Sequence, residues 1–204
     1  ITRRQIEGSK FMNRKHSTTR LVTLGSSDAF NHGGRANSSF WVEDEVSTYL
    51  LDCGPTTPLA IQQLEKTHSL QPQELEVIYL THLHGDHIAG LPVLLLDLNF
   101  CRQRKRPLII AGPLFTEQRV RALCDSSYPN MLQQLLQFEI IFHEWELNSQ
   151  NQIGNRNIKA VAAHHDPQAY PTSIQIQTEQ STLVFSGDTG WNDELIELSS
   201  EADA

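Results

Sequence analysis

Three histidines and an aspartate fall within six residues in the run Thr81-His82-Leu83-His84-Gly85-Asp86-His87. Alternate residues of an extended chain project to the same side, so His82 and His84 can grip one ion together. Gly85, lacking a Cβ, permits a tight bend directly after them. Asp86 and His87 then emerge on that turn, facing a second ion. Imidazole and carboxylate are ligands that borderline divalent metals such as zinc accept. An exposed histidine-rich loop fits poorly here, because the run sits between strongly apolar segments where unpaired imidazoles would be costly. Cys53, Cys101 and Cys124 are scattered with no CxxC spacing, which argues for reduced thiols and against a disulfide framework or a cysteine metal site.

The elements that must hold this run read as short strands and helices in alternation. Leu21–Leu24, Ser38–Val42 and Thr48–Asp52 have strand character, the last stopped by Cys53-Gly54-Pro55. Thr57–Lys66 has helical spacing of its apolar positions with a threonine at the start. Val77–Thr81 reads as a buried strand delivering the chain into His82, Ile88–Phe100 as an apolar helix, and Pro107–Ala111 as a strand. Helices are expected over Pro113–Cys124 and about Asn130–Gln137. Further strands are expected over Phe138–Trp145, Asn157–Ala163, Ser173–Thr178 and Ser181–Ser186, with a last helix from Asp193 to Ser199. Strands in small groups with helices between them suggest helix-covered sheets in layers.

With 204 residues, 39% of them hydrophobic, the chain suits one domain over 20–204. Residues 1–19 read as a basic N-terminal extension, with Met12 a plausible native start. No apolar run reaches the roughly 18 residues of a membrane span, and the first residues lack the apolar stretch of a secretory signal. A cytoplasmic protein is therefore expected. The net charge of −8 is uneven, with six basic residues in 1–20 and six more between Arg102 and Arg121. An overall acidic body speaks against a broad nucleic-acid-binding face. The Arg102–Arg106 run is read as either a solvated loop or a device that steers a phosphate.

The HxHxDH run after an apolar strand resembles the signature of the metallo-β-lactamase superfamily. Leu24-Gly25-Ser26-Ser27-Asp28-Ala29-Phe30 is similar to that family's first strand and loop, and Leu51-Asp52-Cys53-Gly54 to its second landmark. His164 or His165 matches a third landmark, and Ser186-Gly187-Asp188-Thr189 a fourth. The resemblance implies an αββα four-layer sandwich with metals at the edge between its sheets. It also implies that His82, His84 and one of His164 and His165 (His165 preferred) hold one ion. Asp86 and His87 would then hold a second, and Asp188, with two oxygens to share, would bridge them. A further histidine beyond the fourth landmark is expected from the family, so the C-terminal part is expected to be missing from this chain.

Two divalent ions, zinc first with manganese or iron as alternatives, would lower the pKa of a water between them and clamp the attacked group. Asp86 would position or deprotonate that bridging hydroxide. Among the hydrolases the resemblance favours the ribonuclease Z-like and phosphodiesterase branch, carried by Asp28-Ala29-Phe30, Gly33-Gly34-Arg35, the run 81–92 and the bare Ser186–Gly190. Transfer-RNA-processing members carry a long arm between the third and fourth landmarks. Here residues 166–187 leave room for little more than a hairpin. The expectation is therefore a small or cyclic phosphodiester substrate, with nucleic acid not favoured, no membrane partner, and a homodimer as family habit. An ester, thioester, lactone or lactam hydrolase and a non-catalytic metal-bound scaffold are the alternatives. His32 and Arg35 are weighed as residues at the mouth of the site, His143 as structural, and Trp191 as a cover or a packing residue.

Overall fold

A computed structural model describes residues 19–204, so the extension expected over 1–19 lies outside the described residues except for Thr19. The first sheet has six strands in the order β1-β2-β3-β4-β5-β6: Arg20–Gly25, Ser39–Glu43, Thr48–Leu51, Leu75–Tyr79, Leu108–Gly112 and Ile140–Glu144. β1, β2 and β3 pair antiparallel, whereas β3, β4, β5 and β6 run parallel. The second sheet is antiparallel in the order β10-β9-β8-β7, with β7 at Gln150–Ile153, β8 at Arg156–Ala162, β9 at Thr172–Gln177 and β10 at Thr182–Phe185.

Strand alternation builds two cores from one sheet. In and just beyond β4, Ile78 and Leu80 face a core shared with α1 (Thr57–His68), α3 (Leu91–Leu96) and α4 (Thr116–Ser127). Val77 and Tyr79 face the opposite core against Ile158, Ala160, Ile174 and Ile176 of the second sheet. The fourth layer is α5 (Asp193–Leu198), held to the second sheet by buried Leu198 and by Asn192, whose amide donates to the Ala162 carbonyl at 2.7 Å. The αββα arrangement is thus present.

Arg156 of β8 joins the sheets. Its fully buried guanidinium donates to both carboxylate oxygens of Asp44 at 2.8 and 2.7 Å and lies 4.7 Å over the Tyr49 ring.

Several elements depart from the sequence reading. The apolar helix expected over Ile88–Phe100 is broken. A short α2 (Gly85–Ile88) ends before Gly90, α3 restarts with Pro92 in its first turn, and a π-turn spans Asp97–Cys101. The break follows from Pro92, which has no N–H to give, and from Gly90, whose N–H is drawn away to the Cys53 carbonyl at 2.9 Å. The helix expected over 130–137 is a single π-turn at Met131–Leu135, and β7 had no counterpart in the sequence reading. β7 carries no apolar alternation, since only Ile153 of Gln150-Asn151-Gln152-Ile153 is buried.

Arg102 and Arg104 of the basic run are tied into the fold, whereas Lys105 and Arg106 are exposed. Arg102 clasps Glu65 and Asp97, and buried Arg104 donates to the carbonyls of Gln73, Arg106 and Pro107. The run precedes β5, at the end of the sheet opposite the one to which β3 and β4 deliver Asp52 and His82.

Candidate metal centre

Parallel neighbours end side by side. β3 and β4 pair through Leu51 and Tyr79, so the residues that follow them, Asp52 and Thr81, meet at one edge. Asp52 Oδ1 accepts the Thr81 N–H, and its Oδ2 accepts the Thr81 hydroxyl and the His87 Nδ1–H, all three at 2.8 Å. The second sheet reaches the same edge. β8 and β10 both run antiparallel to β9, so both chains exit at that end and bring His165 and Asp188 with them. The Thr81 carbonyl accepts the Thr172 N–H and hydroxyl at 3.0 and 2.7 Å, and the Ala169 carbonyl accepts the Leu83 N–H at 2.9 Å.

Close backbone approach demands glycine at two of these crossings. A Cβ on Gly54 would stand 2.0 Å from the Asp86 carbonyl oxygen. Gly187 has φ +57° and lies where a Cβ would come within 2.8 Å of the Thr81 Cβ. Bulk at either position would displace the His82–His87 run or the Asp188 loop.

The six side chains named from the sequence come together. His82, His84 and His165 form one group of converging donor atoms, and His82, His87 and Asp188 a second, each within 4.8 Å. Asp188 faces both groups, with Oδ1 at 3.6 Å from His87 Nε2 and Oδ2 at 3.9 Å from His165 Nε2. Asp86 stands beside the second group, its Oδ2 at 3.3 Å from His87 Nε2. His82 and His87 are buried, whereas His84, His165 and Asp188 are partly open to solvent, so the cluster is walled on one side and accessible on the other.

The choice between the adjacent histidines is visible in the geometry. His165 Nε2 lies 3.1 Å from His84 Nδ1. His164 turns the other way, its Nδ1 donating to the Trp191 carbonyl at 2.7 Å while its N–H goes to the Thr189 hydroxyl. Trp191 itself is highly exposed. His32 pairs with Asp28 at 2.6 Å on the surface, and every hydrogen bond of its ring and backbone stays within its own loop. His143 lies exposed on β6.

The electrostatics separate the imidazoles. Burial, helped by neighbouring His87, pulls His82 down to about 4, so this ring is neutral with a free lone pair. Burial acts the same way on His87, yet the Asp52 and Asp188 carboxylates outweigh it and push the ring up to about 10. The hydrogen bond from His87 lowers Asp188 to about 2, against the opposing effect of burial. His82 Nε2 is buried without a hydrogen-bond partner among the described residues. Such an atom is costly unless something fills its place. Nitrogen and carboxylate donors converging around it fit a borderline divalent cation.

Asp52, to which the sequence assigns no role, holds the His87 ring through its Nδ1–H. Its signal was present, an aspartate directly after an apolar strand. Its purpose depends on a neighbour 35 positions away in the chain.

The layered sheets with this edge cluster define a metallo-β-lactamase fold. The family described as Anti-Pycsar protein Apyc1 matches residues 19–204, and the chain belongs to that family. Among curated proteins it is 34% identical to the ribonuclease Z of Lachnospira eligens over 159 residues, 76% of this chain and 48% of that protein. It is 33% identical to the ribonuclease Z of Methanococcus maripaludis over 109 residues, 53% of this chain and 34% of that protein. The chain therefore spans about half, or less, of the length of these relatives. Human tRNase Z, short form, superposes with a TM-score of 0.72 at 22% identity, covering 91% of this chain and 76% of that one. Zn2+-bound PqqB from Methylobacterium extorquens gives 0.64 at 15% identity, covering 91% and 71%. A diphosphatase of the PhnP family gives 0.61 at 15%, covering 91% and 72%.

Proposed function

We propose that this chain forms the catalytic part of a dinuclear metal-dependent hydrolase that cleaves a small or cyclic phosphodiester. The observation that carries the reading is Asp188, whose two oxygens face two groups of converging donors that share His82. His82, His84 and His165 would hold one ion, Asp86 and His87 the other, and Asp188 both. Two ions at these positions, zinc by the chemistry of the donors, supply water activation and neutralise the anionic oxygens of a phosphodiester. The relatives named ribonuclease Z and diphosphatase support phosphate-ester chemistry.

The chain's own residues divide the remaining work. Asp86, a carboxylate standing 3.3 Å from His87 Nε2 and making no side-chain hydrogen bond that ties down another element, holds or moves the proton of the attacking water. Asp52 and Thr81 keep the His87 and His82 rings in place from beneath. The small size of the substrate is supported by residues 166–187, which comprise a 3-10 turn at Pro167–Ala169 and the tight β9–β10 hairpin, with no arm to grip a folded RNA. Thr172, which anchors the Thr81 carbonyl, is also one wall of an apolar cavity of about 380 Å³ lined by Pro113, Leu114, Trp145, Leu147 and Tyr170. This recess can take the organic part of such an ester. A homodimer and a cytoplasmic setting belong to the same reading; among the described residues, no helix is long and apolar enough to cross a membrane.

The test is hydrolysis of bis(p-nitrophenyl) phosphate by zinc-loaded protein. Turnover that disappears in Asp86→Ala supports a phosphodiesterase. Metal-loaded protein that ignores phosphodiesters but cleaves thioesters or lactones replaces the substrate class, and tight metal with no turnover of any ester favours a scaffold.

A further inference from the structure

Each imidazole of the HxHxDH run has one nitrogen committed to a fixed partner. His82 Nδ1 meets the Thr81 hydroxyl at 3.1 Å, and His87 Nδ1 meets Asp52 at 2.8 Å. His84 is the reverse case. Its Nε2 lies 3.1 Å from Asp166 Oδ2, and its Nδ1 is the atom aimed at His165. An ionised carboxylate only accepts. Nε2 must therefore carry the proton, and Nδ1 keeps the lone pair.

We propose that Asp166 is a positioning residue for His84, holding its ring by Nε2–H so that Nδ1 is presented to the cation. The proposal rests on the reading above, that this cluster binds metal. The carboxylate is itself held in place. Asp166 Oδ1 accepts the Gln168 N–H at 3.0 Å as the N-cap of the Pro167–Ala169 turn. The last residue of that turn accepts the N–H of Leu83, which adjoins His84. Asp166 also follows His165 directly. One short loop thus supplies a donor to the cluster and orients another, and the same turn is bonded to Leu83, the residue before His84. Carboxylates that fix a ligating histidine typically change metal affinity 10- to 100-fold when removed.

Asp166→Ser separates this role from that of the turn, because serine caps a helical turn well but is too short to reach His84. Zinc affinity is measured by competition with a chromophoric chelator, and the His84 Nε2–H resonance is followed in zinc-loaded protein labelled with 15N-histidine. The expected result is an affinity for one of the two ions about 10- to 100-fold weaker. The Nε2–H resonance should be slowly exchanging in the parent and lost to exchange in Asp166→Ser, with unchanged thermal unfolding of the metal-free protein. Asp166→Asn, which keeps an acceptor oxygen without the charge, should fall between the two. Parent-like zinc affinity with a retained resonance in Asp166→Ser overturns the proposal and leaves the metal site standing. A parent protein that binds no zinc overturns both.

Discussion

Asp52→Asn tests whether the histidines of the proposed metal site are oriented from below. The carboxylate is fully buried and accepts three hydrogen bonds, from the Thr81 N–H and hydroxyl and from His87 Nδ1. An amide of the same shape must place its NH2 against one of two partners. Facing the Thr81 N–H, it sets donor against donor and leaves a buried N–H unmade, at about 1–3 kcal/mol. Facing His87, it forces Nδ1 to accept, which moves the ring proton to Nε2. That atom is the one within 3.3 Å of Asp86 and 3.6 Å of Asp188, where the ion is expected. The first orientation keeps His87 in place and weakens the fold, whereas the second costs the site an oriented ligand, and affinity at that position should then fall about 10- to 100-fold, or roughly 1.4–2.7 kcal/mol. Chelator competition at neutral pH reads the affinity, and thermal unfolding of metal-free protein reads the fold, with Tm falling about 2–4 °C for each kcal/mol lost. A variant that binds both ions as tightly as the parent, with an unchanged Tm, would falsify the claim that Asp52 orients His87.

Asp86→Ala should lower turnover of bis(p-nitrophenyl) phosphate by about 10²-fold or more with little change in unfolding temperature, since the residue holds no other element in place; parent-like rates would remove Asp86 from the chemistry. With His87 raised to about 10 and His82 lowered to about 4, metal loading near neutral pH should release the His87 proton, so affinity should rise with pH. Calorimetry in buffers of different ionisation enthalpy counts the protons released, and a release of zero contradicts the assignment. In metal-free protein the raised His87 stabilises the fold fully below its unfolded value of 6.5 and loses that contribution as pH climbs through about 10. Asp44→Ala should cost about 3–5 kcal/mol by stranding the buried Arg156 charge; chemical denaturation measures it, and an unchanged midpoint would show that the pair does not hold the sheets together.

What could be read from the chain alone was what its local order determines. Strand alternation and short helical spacings set the layered class. The HxHxDH run placed four donors within six residues, where backbone direction by itself decides which side each faces. His165 and Asp188 were legible only through the resemblance to a family's third and fourth landmarks, with His164 left as the alternative to His165. The tertiary structure decided everything that depends on a distant partner. Parallel pairing of β3 with β4 turned Asp52 from an aspartate at a strand end into the anchor of His87. The Trp191 carbonyl drew His164 away and left His165 facing the cluster. The contact from Gly90 to Cys53 broke an apolar stretch that would otherwise read as one helix. Burial among three carbonyls made Arg104 of the basic run a structural residue. The physical reason is the same in each case: a hydrogen bond or a desolvated charge takes its energy from the group opposite, and that group is chosen by the packing of the sheets.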